Sequence, residues 1–347
     1  MLGDEIKNNI VFRVDASEDI GIGHLMRCLA LSEELLKRNY TCYFLSNIQN
    51  EYLLEKLKDF NVSYIKIKSN DTENDDITEL LDFTMSNNCD WVITDHYGIS
   101  NSYLKKLKEK KLNILSMDDN AQIKYPSDVV LNQNSYAERM HFSSEPYTKY
   151  LLGSKYVLLQ DRILRREEKK ERKAVNKILI TLGGTSFNDL ILKILTSLQK
   201  IVKEDIEIFV ILGPFNQSFD IIKKFTEKTD INVKLFDSPK NMTDIYLDTD
   251  IAISAGGTSC YELAYFGIPN AVITVAENQI NIAKDLSKRN VSLYSGDIEY
   301  FKEEKFIQDI NKLLERPELR NEMSNNGRRL IDGKGKMRIV DFMERYN

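Results

Sequence analysis

Residues 9–38 read NIVFRVDASEDIGIGHLMRCLALSEELLKR. The run at 9–15 is apolar and β-branched, which predicts a buried strand. It passes through Asp15-Ala16-Ser17 into a loop holding Gly21 and Gly23. From His24 to Arg38, Leu25, Cys28, Leu29, Leu35 and Leu36 recur at helical spacing on one stripe. A strand that feeds a helix through a glycine-bearing loop is the opening of a parallel α/β unit.

The same alternation continues outward. Strands are expected at 40–45, 62–66, 91–95, 112–117 and 129–131, with helices at 51–58, 77–87 and 102–110. Residues 162–176, RILRREEKKERKAVN, interleave acids with bases and read as a solvated linker or exposed helix rather than a nucleic-acid surface. The pattern then restarts, with strands at 177–182, 206–212, 233–236, 251–254 and 271–274 and a helix at 189–203. A final helical pattern covers 321–346. The fold class is therefore α/β, with mainly parallel sheets in two Rossmann-like domains. The first is placed at 1–165 and the second at 166–330, with 331–347 expected to pack back on the first.

The length, 347 residues, suits two cores rather than one. The net charge of −5 offers no broad basic field for nucleic acid or an anionic membrane. Neither a signal-peptide pattern nor an apolar run of spanning length is present, so a cytoplasmic protein is expected. The four cysteines are scattered, and only three histidines occur, so neither disulfides nor a zinc site is expected.

The loop at 15–27 sits at the carboxyl end of a strand, where α/β sheets bind ligands. It lacks a Walker lysine, and Met26 stands where a dinucleotide fingerprint has its third glycine, so NAD is disfavoured. His24 falls in the first helical turn, where positive potential disfavours imidazolium and leaves a base. Asp15 ends the preceding strand and is placed either to orient that ring or to temper the effect of the helix on it. Arg27, one turn on, is read as contacting ligand or pairing with an acid.

Asp95-His96-Tyr97-Gly98 follows an apolar strand. Tyr97 reads as a site wall, Asp95 as the cap of the next helix and His96 as a supporting group. Asp118-Asp119 reads as a turn, because adjacent side chains on an extended segment point apart. Ser254-Ala255-Gly256-Gly257-Thr258-Ser259-Cys260-Tyr261-Glu262 follows a strand and opens a helix, an anion cradle that needs no lysine. Glu262 is within reach of ribose hydroxyls. Gly183-Gly184-Thr185 repeats the arrangement, and Asn278 and Gln279 offer amides to a nucleotide or sugar. Asp248-Thr249-Asp250 precedes its strand and is read as a turn, not a metal site.

Together RVDAS-EDIGIGHLMRCLAL, VITDHYG, LLNQNSYA, LLGSKYVLL, ITLGGTSFND and ISAGGTSCYELAYFGIPNAVITVAENQ resemble the pseudaminic-acid pathway UDP-sugar hydrolases and related spore-coat polysaccharide proteins. The resemblance implies a GT-B-like fold whose two domains face a deep cleft. It implies inverting hydrolysis at C1 of a UDP-linked 2,4-diacetamido-2,4,6-trideoxy sugar, releasing UDP without metal or cofactor. His24 matches the family's catalytic histidine and Tyr97 the tyrosine of its DHYG motif. Glu262 and Asn278 match nucleotide-binding positions. Gln160 stands where the family carries a substrate-contacting arginine. The expected substrate-binding set is Asp15, Gly23, Arg27, Tyr97, Asn134, Gln160, Gly184, Thr185, Gly256, Gly257, Thr258, Ser259, Glu262, Asn278 and Gln279. A UDP-sugar and UDP are the expected partners, and the protein is expected to act as a monomer or weak homodimer.

Overall fold

The computed structural model describes residues 7–18, 20–67, 72–164, 174–185, 187–216 and 219–346. Residues 165–173, the middle of the charged stretch read as a linker, lie outside the described residues. The chain forms two compact units: Met1–Asp161 with Gly333–Asn347, and Arg162–Asp332.

The first unit runs β1 (Lys7–Val14), α1 (Gly23–Lys37), β2 (Tyr40–Ser46), α2 (Glu51–Asp59), β3 (Ser63–Lys66), α3 (Glu73–Ser86), β4 (Cys89–Asp95), α4 (Asn101–Glu109), β5 (Asn113–Met117), β6 (Lys124–Tyr125), β7 (Val129–Asn132), β8 (Ser143–Ser144) and β9 (Lys149–Leu152). The short α5 (Asp161–Leu164) begins where this unit gives way to the second. The main sheet has the order β3-β2-β1-β4-β5-β7-β9, and every pair in it is parallel. β1 reads as a continuous apolar run because both its faces are covered: Ile10, Val11, Phe12 and Val14 are fully buried. The stripe on α1 buries Leu25, Cys28, Leu29 and Leu35. Each fully buried aliphatic side chain contributes roughly 1.5–3 kcal/mol before entropy is counted.

The second unit runs β10 (Lys177–Thr181), α6 (Asn188–Leu198), β11 (Glu207–Leu212), α7 (Phe219–Thr226), β12 (Asn232–Asp237), α8 (Thr243–Asp248), β13 (Ile251–Ser254), α9 (Ser259–Phe266), β14 (Asn270–Thr274), α10 (Glu277–Lys288), β15 (Ser292–Asp297), α11 (Glu303–Glu315) and α12 (Pro317–Leu330). Its sheet is β12-β11-β10-β13-β14-β15, all parallel. This is the doubly wound order in which the strand sequence reverses beside the first strand. Both units have such a switch point, between β1 and β4 and between β10 and β13.

One expectation changes here. The helical pattern at 321–346 is two helices: α12 ends at Leu330, and α13 (Gly335–Tyr346) belongs to the first unit. Gly333 lies at φ +76°, a left-handed conformation that ends helices. α13 is fixed by the buried Lys336, whose ammonium pairs with two partly buried carboxylates. Lys336 Nζ donates to Glu33 Oε2 at 2.7 Å and to Asp161 Oδ1 at 2.8 Å. Gly335 packs so tightly on the backbone that a Cβ would lie 2.1 Å from the Val157 carbonyl oxygen. Among the described residues, no helix is long and apolar enough to cross a membrane. All four cysteines are free and buried.

Candidate active site

Register brings the first site together. Val14 pairs with Asp95, so β1 and β4 end at the same level on either side of the switch point. The loop after β1 turns at Gly21, whose φ of +79° suits glycine, and whose N–H donates to the Ser17 carbonyl at 2.8 Å. That turn delivers His24 into the first turn of α1, directly over the end of β4.

His24 is 8% exposed. Its Nδ1 lies 2.6 Å from Asp95 Oδ1. An ionised carboxylate can only accept, so the tautomer that satisfies Asp95 carries its proton on Nδ1 and its lone pair on Nε2. Among the described residues, none is hydrogen-bonded to Nε2. Tyr97 meets the ring edge to face, with centroids 4.6 Å apart, and is itself 49% exposed.

Asp95 is 1% exposed and saturated. Arg27 Nε donates to its Oδ2 at 2.6 Å and Arg27 Nη2 to its Oδ1 at 2.5 Å. Cys28 Sγ donates to Oδ2 at 3.5 Å. Burial alone would push the Asp95 carboxyl up. The Arg27 charge and the hydrogen bonds from Arg27 and His24 outweigh it and hold the group well below the usual carboxylate range. Arg27 reaches on through Nη1 to both oxygens of Asp119 at 3.0 Å. Asn134 Nδ2 donates to Asp119 Oδ1 at 2.9 Å. Gln160 Nε2 lies 3.5 Å from the Met26 carbonyl oxygen, on the same turn of α1.

Asp15 does not orient His24. Its carboxylate accepts from Arg13 Nη2 at 2.8 Å, from the Asn47 N–H at 2.7 Å and from Ser46 Oγ at 3.2 Å, and faces His96 Nε2 at 3.2 Å. Burial raises this carboxyl, and those partners hold it below the usual range. Asp15, Arg13 and His96 instead line a separate cavity of about 230 Å³ with Asp76, Glu73 and Tyr103. Nor does Asp95 cap the next helix: Ser100 caps α4, its side chain accepting from the Tyr103 N–H. The glycine of DHYG has a steric cause, since a Cβ on Gly98 would lie 2.8 Å from the His96 ring.

Asp95 and Asp119 are the residues to which the sequence reading gave other roles, a helix cap and part of a turn. Asp95 is the last residue of β4, so its place at the switch-point edge was legible. Asp119 was obscured by its neighbour. Asp118 takes the turn, accepting from the Asn120 and Ala121 N–H groups, which leaves Asp119 for Arg27.

In the second unit, the loops after β10 and β13 flank the other switch point. The backbone N–H groups of Gly257, Thr258 and Ser259 carry no hydrogen bond among the described residues, at the start of α9. Three free donors and the positive end of a helix form an anion nest. The Gly256 N–H is not part of it, because it donates to Gln279 Oε1 at 3.0 Å. The same oxygen accepts from the Val275 N–H at 3.0 Å. Gln279 thus ties the glycine loop to the start of α10, and its carbonyl is not free to read a base.

Glu262, in the first turn of α9, accepts from the Tyr246 hydroxyl at 2.6 Å. Asn278 is exposed on the first turn of α10. Gly184 is buried under Gly213, and its carbonyl accepts from the Phe215 N–H at 3.1 Å, so it shapes the loop beside Thr185. The Asp248–Asp250 pair lies at the amino edge. There Asp250 accepts from the Asn176 and Lys177 N–H groups, and Asp248 pairs with the Lys177 ammonium. Among the described residues, no three His, Cys, Asp or Glu side chains converge as a metal site.

Comparison with known proteins adds to this geometry. Residues 177–340 match the glycosyltransferase family 28 C-terminal domain. An uncharacterized protein of Methanocaldococcus jannaschii is 28% identical over 293 residues, 81% of this chain, which spans only 58% of that protein. The spore coat polysaccharide biosynthesis protein SpsG of Bacillus subtilis is 24% identical over 95% of this chain and 96% of its own. The UDP-2,4-diacetamido-2,4,6-trideoxy-β-L-altropyranose hydrolase of Campylobacter jejuni is 26% identical over 81% of this chain and 96% of its own. The solved structure of Acinetobacter baumannii MurG superposes with a TM-score of 0.72 at 15% identity, over 97% of this chain and 99% of that one, which shows a GT-B-like fold. The resemblance read from the motifs therefore holds: this chain is similar in sequence to a UDP-diacetamido-trideoxy-altropyranose hydrolase and to a spore-coat polysaccharide biosynthesis protein.

Proposed function

We propose that this protein is a hydrolase that cleaves the anomeric C1–O bond of a UDP-linked 2,4-diacetamido-2,4,6-trideoxy sugar with inversion, releasing UDP, in nonulosonic acid biosynthesis in the cytoplasm. The observation that carries the reading is His24: Nδ1 is held by a buried carboxylate, and Nε2 is left with its lone pair at a switch-point edge. That is the arrangement of a general base.

In this reading the second unit holds the nucleotide. The Gly257–Ser259 amides bind the diphosphate, Glu262 the ribose and Asn278 the nucleotide. The first unit supplies the base. Nε2 takes a proton from water, and the oxygen attacks C1 on the face opposite UDP. The C1–O bond breaks, and its electron pair leaves on the β-phosphate oxygen. UDP is a good leaving group, and the amides lower its cost further. The imidazolium then returns its proton to solvent. No step passes through a metal.

The test is turnover of candidate UDP-sugars without any acceptor. Release of UDP and of a C1-inverted sugar, undiminished by a chelator, is expected. His24→Ala should lower turnover by about 10²–10⁴-fold while sparing UDP affinity. Unchanged turnover would remove His24 from the mechanism. The match to a glycosyltransferase domain favours one other reading, transfer of the sugar to an acceptor. It predicts that UDP-sugar survives in water alone.

A further inference from the structure

The proposed base sits in a charge cluster that its chemistry does not by itself explain. Arg27 is almost fully buried and spans two carboxylates. Nε and Nη2 face Asp95, and Nη1 faces both oxygens of Asp119. Arg27 Nη2 also stands 3.0 Å from His24 Nδ1. Asp95 and Arg27 therefore compete for that nitrogen. If Asp95 wins, Nδ1 carries the proton and Nε2 is a base. If a guanidinium N–H donates to Nδ1, the ring proton must move to Nε2 and no base remains.

We infer that Asp119 is a positioning residue of this reaction: acting through Arg27, it keeps the His24 ring in the basic tautomer and stabilises the imidazolium that forms. Its two oxygens hold Nη1 at 3.0 Å and so restrain how far the guanidinium can turn toward Nδ1. Asn134 fixes Asp119 from the other side. The charges point the same way. Two carboxylates and one guanidinium leave the cluster at −1 while His24 is neutral, and at zero once Nε2 has taken the proton. Beside these charges Tyr97 stands against the ring and the Cys28 thiol, which burial pushes well up, against Asp95. Without Asp119 the imidazolium would form in a cluster of net charge +1, buried and uncompensated.

The inference rests on the hydrolase reading, and its test is chosen to separate the two. The chain has three histidines, so the His24 ring signal in NMR is identified by its loss in His24→Ala. In Asp119→Asn, the ring titration and the acid limb of the kcat/KM profile should both move to lower pH by about half to one pH unit. kcat should fall by about tenfold, with Kd for UDP within about twofold of the parent. Asp119→Glu should return the titration toward its original position. A lowered Tm with both curves unmoved would mean that Asp119 only braces the fold, and would overturn the inference. Asp119→Ser is a second neutral replacement should the asparagine variant fail to fold, and the same shift is expected of it. If no UDP-sugar is hydrolysed, the ring titration still decides the point.

Discussion

Replacing Asp95 by asparagine probes both the fold and the base. The carboxylate accepts from His24 at 2.6 Å and from Arg27 at 2.6 and 2.5 Å, at 1% exposure. Removing one partner of a buried ion pair costs about 3–5 kcal/mol. Arg27 keeps Asp119 and the amide keeps one acceptor oxygen, so the low end of that range applies, about 3 kcal/mol. At about 2–4 °C per kcal/mol for a unit of this size, Tm should fall by about 6–12 °C. Turnover should suffer more. If the amide oxygen faces Arg27, its NH₂ group faces Nδ1, which must then accept; the proton moves to Nε2 and the base is gone. The corresponding change in serine-protease triads costs about 10⁴ in kcat.

Steady-state turnover with calorimetric Tm measures both effects. Turnover within about threefold of the parent would refute the tautomer argument, since general-base loss costs at least about 10². The pH dependence has a definite sign. The folded Asp95 carboxyl lies below its ordinary value of about 3.9. Its stabilisation is therefore fully present above that value and is lost as pH falls through the depressed one. Denaturant unfolding should show stability dropping below about pH 4, less steeply in Asp95→Asn.

Three further outcomes are expected. A Cβ on Gly256 would lie 2.9 Å from Gln279 Cβ and 3.0 Å from its backbone oxygen, so Gly256→Ala should displace the nest and weaken UDP binding by about tenfold in calorimetry; unchanged affinity would take that loop out of the site. Glu262→Gln should weaken UDP binding several-fold with little loss of Tm, because an amide oxygen still accepts from Tyr246; a large Tm loss with intact affinity would make Glu262 structural. Gly335→Ala should destabilise the first unit by about 1–3 kcal/mol, read as a lower urea midpoint, because the Val157 carbonyl blocks the new methyl group; an unchanged midpoint would mean that α13 yields freely.

The alternation of strands and helices was legible because parallel strands buried on both faces read as short apolar runs. β1, β4, β10, β13 and β14 all begin and end within about two residues of the expected limits. β9 was missed, since Lys149 and Tyr150 are exposed and the strand lacks such a run. The break between α12 and α13 was missed because the helical period resumes nearly in phase across Asp332-Gly333-Lys334.

At the site, the places of His24 and of the glycine loop before α9 were legible, because glycine and helix-start signals are local. It misassigned Asp15 and Asp95, because which carboxylate reaches a ring depends on strand order. β1 lies between β2 and β4, so Asp95 arrives from a strand about eighty residues away, while Asp15 turns toward Arg13 and His96. The role of Gln279 was likewise hidden, because its partner Gly256 is near it only through the pairing of β13 with β14.

The first unit is completed by a helix that follows the whole of the second in the chain. During synthesis, Glu33 and Asp161 emerge long before Lys336, and the face of α1 that α13 covers waits uncovered while residues 162–332 are made. The second unit can close as soon as its own residues exist, whereas the half that bears His24 must finish last. A nascent chain cut short after α12 would then hold a complete second unit attached to an unfinished first one.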